Sequence, residues 1–338
     1  MKEKALSLIT FFTLIVSACG RTSATMPTQP ALTATAISTA TEIPTAVLTA
    51  VPTESPVELV WSLTGDPNPF NNPDGIAVDS QGNLYVMDSG NTRIQKFDID
   101  GHFILMWGSK GNNDGQFNCS LYLFCMLAVD GLGNVYVTDN KNSRIQKFDG
   151  SGKFLMKWGS FGSEDGQFNI PFGIAVDREG NVYVGDVGNA RIQKFDANGK
   201  FLMKWGSSGY DDGQFSEDLA DIAVDSNGNV YVTDRSNGIY KFNKNGKYLT
   251  RLTACGDENV VVSATGVAVD LEDNVYFYDL SYNRMCKYDS NGQFLNNWNA
   301  SGSTEGAFTA VGGVAVDEHG NVYVAELFDG RVRKFSQR

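Results

Sequence analysis

The chain has 338 residues, a formal net charge of −12 and two histidines. Such an acidic chain is a poor partner for a phosphate backbone, which excludes nucleic acid as its ligand class. Two histidines are too few for a histidine-built metal cluster in a chain of this size.

Residues 1–20 read MKEKALSLITFFTLIVSACG, with Lys2 and Lys4 ahead of an apolar run from Ala5 to Val16. A run this short is a signal-peptide core and not a spanning helix. Beyond it, no apolar run approaches the length that spans a bilayer. The ending Val16-Ser17-Ala18-Cys19-Gly20 resembles the lipobox of bacterial lipoproteins. The resemblance implies removal of residues 1–18 as a lipoprotein signal peptide and lipidation of Cys19; the alternative is an ordinary cleaved signal with a chance cysteine. Residues 19–56 are mostly Thr, Ala, Pro and Ser, with no aromatic residue. Such a segment buries too little apolar surface to offset its ordering entropy, so it reads as a disordered stalk. Its random-coil reach is roughly 30 Å. This end of the chain places the protein in the cell envelope, extracytoplasmic, touching the membrane through the lipid anchor only.

From residue 57 onward one unit recurs. GIAVDSQGNLYVMD begins at Gly75, LAVDGLGNVYVTD at Leu127, GIAVDREGNVYVGD at Gly173, DIAVDSNGNVYVTD at Asp221, GVAVDLEDNVYFYD at Gly266 and GVAVDEHGNVYVAE at Gly313. Their AVD aspartates, Asp79, Asp130, Asp177, Asp225, Asp270 and Asp317, lie 45 to 51 residues apart. A period in this range marks an array or a propeller. In the third unit, strands are expected at Phe172–Asp177, Asn181–Asp186, Ala190–Asp196 and Lys200–Gly206. Tight turns rich in Asp and Gly separate the first pair and the last pair. The first run is apolar without alternation, as in a strand buried on both faces, whereas FLMKW alternates like an outer strand. Six such units predict an all-β fold, a six-bladed β-propeller of four-stranded antiparallel blades over residues 57–338. The last unit lacks an outer strand, and Val57–Gly65 supplies a matching run, so an N-terminal strand is expected to complete the last blade and close the ring.

The unit DGQFNIPFGIAVDREGNVYVGDVGNARIQKF, from Asp165, resembles the NHL repeat. The resemblance covers nearly all of residues 58–338 and implies a six-bladed propeller, but no single activity. NHL-like propellers include lyases acting on amidated peptide precursors, RNA-binding domains and bacterial extracellular sensor or scaffold domains, so function has to be read from sites.

Repetition separates scaffold from site. Acid and arginine recur five residues apart at Asp88/Arg93, Asp139/Arg144, Asp186/Arg191, Asp279/Arg284 and Glu326/Arg331, while Asp234 has no arginine. A catalytic pair is needed once and a fastener in every blade, so these read as structural ion pairs. The residues just ahead of the inner strands, Asp74, Cys125, Phe172, Ala220, Thr265 and Gly312, are expected nearest the channel mouth. With one carboxylate and no histidine they are too few for calcium, and no metal or cofactor is expected. His102 and His319 fall in short turns on the opposite face. Cys119 and Cys125 bracket an inserted SLYLF and could close it as a disulfide; Cys255 and Cys286 form a second possible pair, and connectivity does not follow from sequence. What single blades add points to binding: Leu121, Tyr122, Leu123 and Phe124 in the insert, Leu280 and Tyr282 in blade five, Leu327 and Phe328 in blade six. The alternative is that these side chains fold back into the channel mouth or between blades. The sequence therefore reads as a monomeric binding or scaffold module for a protein, peptide or envelope glycan, with no catalytic residue assigned. The alternative is an envelope hydrolase or lyase with a channel-mouth site near Asp74.

Overall fold

The computed structural model describes residues 57–119, 125–216, 218–253, 255–256, 262–299 and 306–337. The signal peptide, Cys19, the stalk, and Leu121, Tyr122, Leu123 and Phe124 of the insert lie outside the described residues. Within them, strands β1 to β24 form six four-stranded antiparallel sheets. Blade three comprises β10 (Pro171–Val176), β11 (Val182–Asp186), β12 (Arg191–Phe195) and β13 (Phe201–Trp205), each within a residue or so of its sequence reading. The inner strands β2 (Pro73–Val78), β6 (Leu127–Val129), β10, β14 (Leu219–Val224), β18 (Ala264–Val269) and β22 (Val311–Val316) follow one another around a ring. β1 (Val57–Leu63) pairs antiparallel with β24 (Arg331–Gln337), so the two ends of the domain share the last blade and close the ring.

Each blade's second strand is buried along its whole length, because its two faces pack against the two neighbouring blades. The tyrosines at its centre, Tyr85, Tyr136, Tyr183, Tyr231, Tyr276 and Tyr323, are all sealed in. Each buried aromatic of this kind contributes about 1.5–3 kcal/mol. Their hydroxyls donate to the AVD aspartates at 2.9–3.4 Å, so no phenol is left unpaired. A lysine ammonium lies over each of these rings at 4.7–5.4 Å. From there Lys96 donates to the Gly150 carbonyl of the next blade and Lys334 to that of Ile99, carrying the tie across the closure.

The opposite face, where the chain passes from blade to blade, is held by the recurrent acid. Asp186 has no exposed surface. Its carboxylate accepts from Arg191 Nε at 2.8 Å, Asn189 Nδ2 at 2.8 Å, Gln193 Nε2 at 3.2 Å and the Asn169 amide at 2.7 Å. Arg191 spends its remaining donors on the Ser163, Glu164 and Gln167 carbonyls of the incoming linker. The equivalent pairs lie 2.7–3.3 Å apart in blades one, two, five and six. The acid and arginine that the sequence assigned to fastening therefore grip both their own loop and the preceding linker. In blade four the loop is one residue shorter and Gly238, at φ +86°, stands where the arginine would be. Asp234 is held there by the Ser216 amide and hydroxyl at 2.9 and 2.7 Å.

A second clasp sits in the middle of each third strand. Gln95, Gln146 and Gln193 donate to the linker carbonyls of Asn68, Gln116 and Gln167 at 2.7–2.8 Å. Arg333 does the same to Gly306 at 2.9 Å. In blade four Tyr240 packs edge-on against linker Phe215. In blade five the hold is covalent, a Cys255–Cys286 disulfide from linker to third strand with Cα atoms 5.8 Å apart. The phenylalanines of the DGQF linkers, Phe117, Phe168 and Phe215, complete the seams with no exposed surface. Gly108, Gly159 and Gly206, which follow the outer tryptophans of blades one to three, make room for them: a Cβ on Gly159, at φ +99°, would lie 2.6 Å from the Phe168 ring.

Asp186→Ala leaves four donors, one of them on a buried guanidinium, without their acceptor, and is expected to cost about 3 kcal/mol or more, measured by urea unfolding. Cys286→Ser, which removes this bridge, is expected to cost about 2–4 kcal/mol, again measured by urea unfolding.

Candidate functional site

The linkers and the loops joining second to third strands open on one face. Around the axis on that face, Asp74, Cys125, Phe172, Ala220 and Thr265 are buried, and Gly312 is half-buried. Asp74, expected at an open mouth, is instead sealed in the seam between blades one and two. Its carboxyl accepts the Ser89 hydroxyl at 2.9 and 2.7 Å and the Gly75 amide at 2.7 Å. Burial pushes its pKa well above the usual carboxylate range, against the pull of Ser89. Cys125 is bonded to Cys119, Cα to Cα 5.4 Å, across the insert.

Sequence reasoning missed a second inner acid. Asp221 occupies the position held by Gly75, Gly173, Gly266 and Gly313 in other blades, where the neighbouring inner strand passes close to the glycine. Its carboxyl accepts its neighbour's amide at Ile222, 2.9 Å, and the Val267 amide of blade five, 3.2 Å. Burial raises its pKa to about 7. That value suits proton transfer, but both oxygens serve backbone amides and the residue is almost wholly enclosed. The departure from glycine in DIAVD was the available signal.

Outside this sealed collar, the same face carries exposed apolar side chains. Phe328 is 80% and Tyr282 50% exposed, with Leu280 also open, while Leu327 is buried. They stand on the loops of blades five and six, which are neighbours in the ring. The Arg284 guanidinium lies 4.8 Å from the Tyr282 ring and supports it from beneath. The hydrophobic residues 121–124 proposed to extend this arc from blade two cannot be placed alongside it, since they lie outside the described residues.

Among the described residues two groupings bring metal-ligating atoms together. Cys255, Asp279 and Cys286 are buried, but the two sulfurs are bonded to each other. Asp98, Asp100 and His102 share an exposed turn, in which Asp98 already accepts the Asp100 and His102 amides and contacts the imidazole at 3.0 Å. His319 is likewise exposed in a turn.

Residues 70–97, 127–148 and 168–195 match the NHL repeat, and they span the first three strands of blade one and core segments of blades two and three. The match covers three of the six repeated units. The chain is 35% identical over 92 residues to the protein brain tumor of Drosophila melanogaster, covering 27% of this chain and 9% of that protein. It is 31% identical over 113 residues to human NHL repeat-containing protein 3, covering 32% of this chain and 31% of the relative. The chain thus spans a third or less of the length of either relative. A solved streptogramin B lyase shares the ring with a TM-score of 0.56 over 84% of this chain and 98% of the lyase, at 15% identity. At that identity the likeness concerns the fold alone.

The raised pKa of Asp221 has a definite sign. In the unfolded chain the group titrates near 4 and in the fold near 7. The folded state therefore binds the proton more tightly, and stability falls as pH rises through that window. Replacing Asp221 by the glycine of the other blades is expected to flatten the fall between pH 4 and 7 by roughly 2–4 kcal/mol, leaving the share due to Asp74. Urea midpoints at several pH values check this; parallel profiles for the two proteins would contradict it.

Proposed function

We propose that this chain is a lipid-anchored, extracytoplasmic NHL-repeat propeller that works as a monomeric binding or scaffold module. Its partner is a protein, a peptide or an envelope glycan, met on the face where linkers and second-to-third-strand loops open. One observation carries the reading. On that face the polar groups of the repeat are buried and occupied in holding linkers, whereas Leu280, Tyr282 and Phe328 reach solvent and belong to no repeated contact. In this reading the exposed apolar side chains of these adjoining loops form a binding surface. The hydrophobic insert Leu121, Tyr122 and Phe124 enlarges the same surface in this reading, and Cys19 tethers it to the membrane through residues 19–56.

The competing reading is an envelope hydrolase or lyase working near Asp74. It draws support from the raised pKa of that carboxyl and of Asp221. Against it, Asp74 is fully buried and committed to Ser89 and Gly75. Metal analysis of the purified protein separates the two: a stoichiometric ion lost together with an activity favours the enzyme.

Changing Tyr282 and Phe328 together to serine is expected to weaken capture of the partner by about tenfold or more while shifting the melting temperature by no more than a degree or two, since neither ring is buried. Undiminished capture by the double variant would remove the proposed surface.

A further inference from the structure

The position that follows the recurrent acid is Ser89, Asn140, Val187, Arg235, Leu280 and Leu327 in successive blades. The backbone equivalence is direct for four of them: the amides of Val187, Arg235, Leu280 and Leu327 donate to the linker carbonyls of Ile170, Asp218, Ser263 and Ala310. Four of the six side chains here are covered, while Leu280 is exposed and Arg235 half-buried. Ser89, Asn140, Val187 and Leu327 are buried, and Ser89 reaches Asp74 of the axial collar. Arg235 is the one charged residue of the six.

Its surroundings differ from those of the clamp arginines. Arg93, Arg144, Arg191, Arg284 and Arg331 each sit on the acid of their own blade. Among the described residues Arg235 has no such partner: its guanidinium lies 5.8 Å from the Phe172 ring of blade three. The two nearby acids are engaged elsewhere. Asp234 takes the Ser216 amide and hydroxyl and the Ser236 amide, and Asp218 takes the Ser236 hydroxyl. Burial weakens the hold of Arg235 on its proton, and the pull of Asp218 and Asp234 offsets part of that cost. A guanidinium stacked on an aromatic ring keeps its planar fork of donors free, and that fork matches the two oxygens of a carboxylate. With two acids close by, the site favours a single negative charge over a phosphate dianion.

We propose that Arg235 is a recognition point for a peptide carboxylate, held at the axial side of the loop face while Leu280 and Tyr282 of the adjoining blade take up apolar side chains of the same peptide. The proposal rests on the binding role given to this face above, and names the ligand chemistry that the face selects.

The test uses the full chain and two probes, the tripeptide N-acetyl-Ala-Leu-Phe as the free acid and as the C-terminal amide, titrated by calorimetry, with inorganic phosphate as a third titrant. The acid is expected to bind about tenfold or more tightly than the amide, the difference that a charge-assisted pair makes. Arg235→Gln is expected to erase that preference, and Arg235→Lys, which keeps charge but not the fork, to retain only part of it; circular dichroism checks that both variants fold. Equal binding of acid and amide, binding of neither at millimolar concentration, or tighter binding of phosphate than of the acid would overturn the proposal. If Arg235→Gln keeps the preference while Tyr282→Ser weakens both peptides, the arginine assignment falls and the binding role of the face stands.

Discussion

A carboxylate removed from water has to be met by donors on every side, and in this ring the donors come from different parts of the chain. Asp186 gathers an arginine and a glutamine from the third strand, an asparagine from the loop between, and an amide from the linker that arrives from the preceding blade. Desolvating such a charge costs several kcal/mol, and the cost is offset only when all of these groups are in place together. Loop shape, strand register and the path of the linker therefore form as one unit. That explains why the loop keeps its length in five blades, with Thr92, Ser143, Ala190 or Asn283 at positive φ ahead of the arginine in blades one, two, three and five.

Where the clasp changes, another contact assumes its task. Blade four has lost the arginine, and its seam with blade five gains the Asp221–Val267 bond on the inner strands. On the opposite face Asp273, at φ +64° in place of a turn glycine, accepts the Ser226 amide and hydroxyl at 2.8 and 2.6 Å. Blade five exchanges the glutamine clasp for a disulfide and blade six exchanges it for Arg333. The requirement is constant while the chemistry that meets it varies: every linker must be fixed to the third strand it approaches, or the stack of blades loosens at that seam.

This variation decides what the sequence could reveal. The six AVD triplets and the NVYV runs repeat in register, so the blades, their strands and the closing N-terminal strand are readable from spacing alone. The acid and arginine are legible as fasteners because both residue types recur at one separation. The third-strand clasp is not, since Gln193, Tyr240, Cys286 and Arg333 share no chemistry and their partners are linker atoms some thirty residues away. Nothing in the RIQKF runs signals that their lysines are covered, yet most of Lys96 is enclosed because its stem crosses a tyrosine ring to reach the next blade. Asp74 was placed at the mouth by its register, and only the packing of Ser89 against it shows that the mouth is closed at that point. Arg235 carries no signal in the sequence, because its loop is one residue shorter than its counterparts and breaks their register.

Function on this account belongs to the residues that the ring does not need. Leu280, Tyr282, Phe328 and Arg235 share one face and leave the clasps intact, whereas the opposite face ends in repeated tight turns. Site-directed photo-crosslinking on the full-length chain tests this division most directly, with a photoreactive residue at position 328 or at position 132, whose leucine is highly exposed in a turn of the opposite face. The account predicts a discrete adduct from position 328, none from position 132, and loss of the former on mutation of Tyr282. An adduct from position 132 with none from position 328 would contradict it.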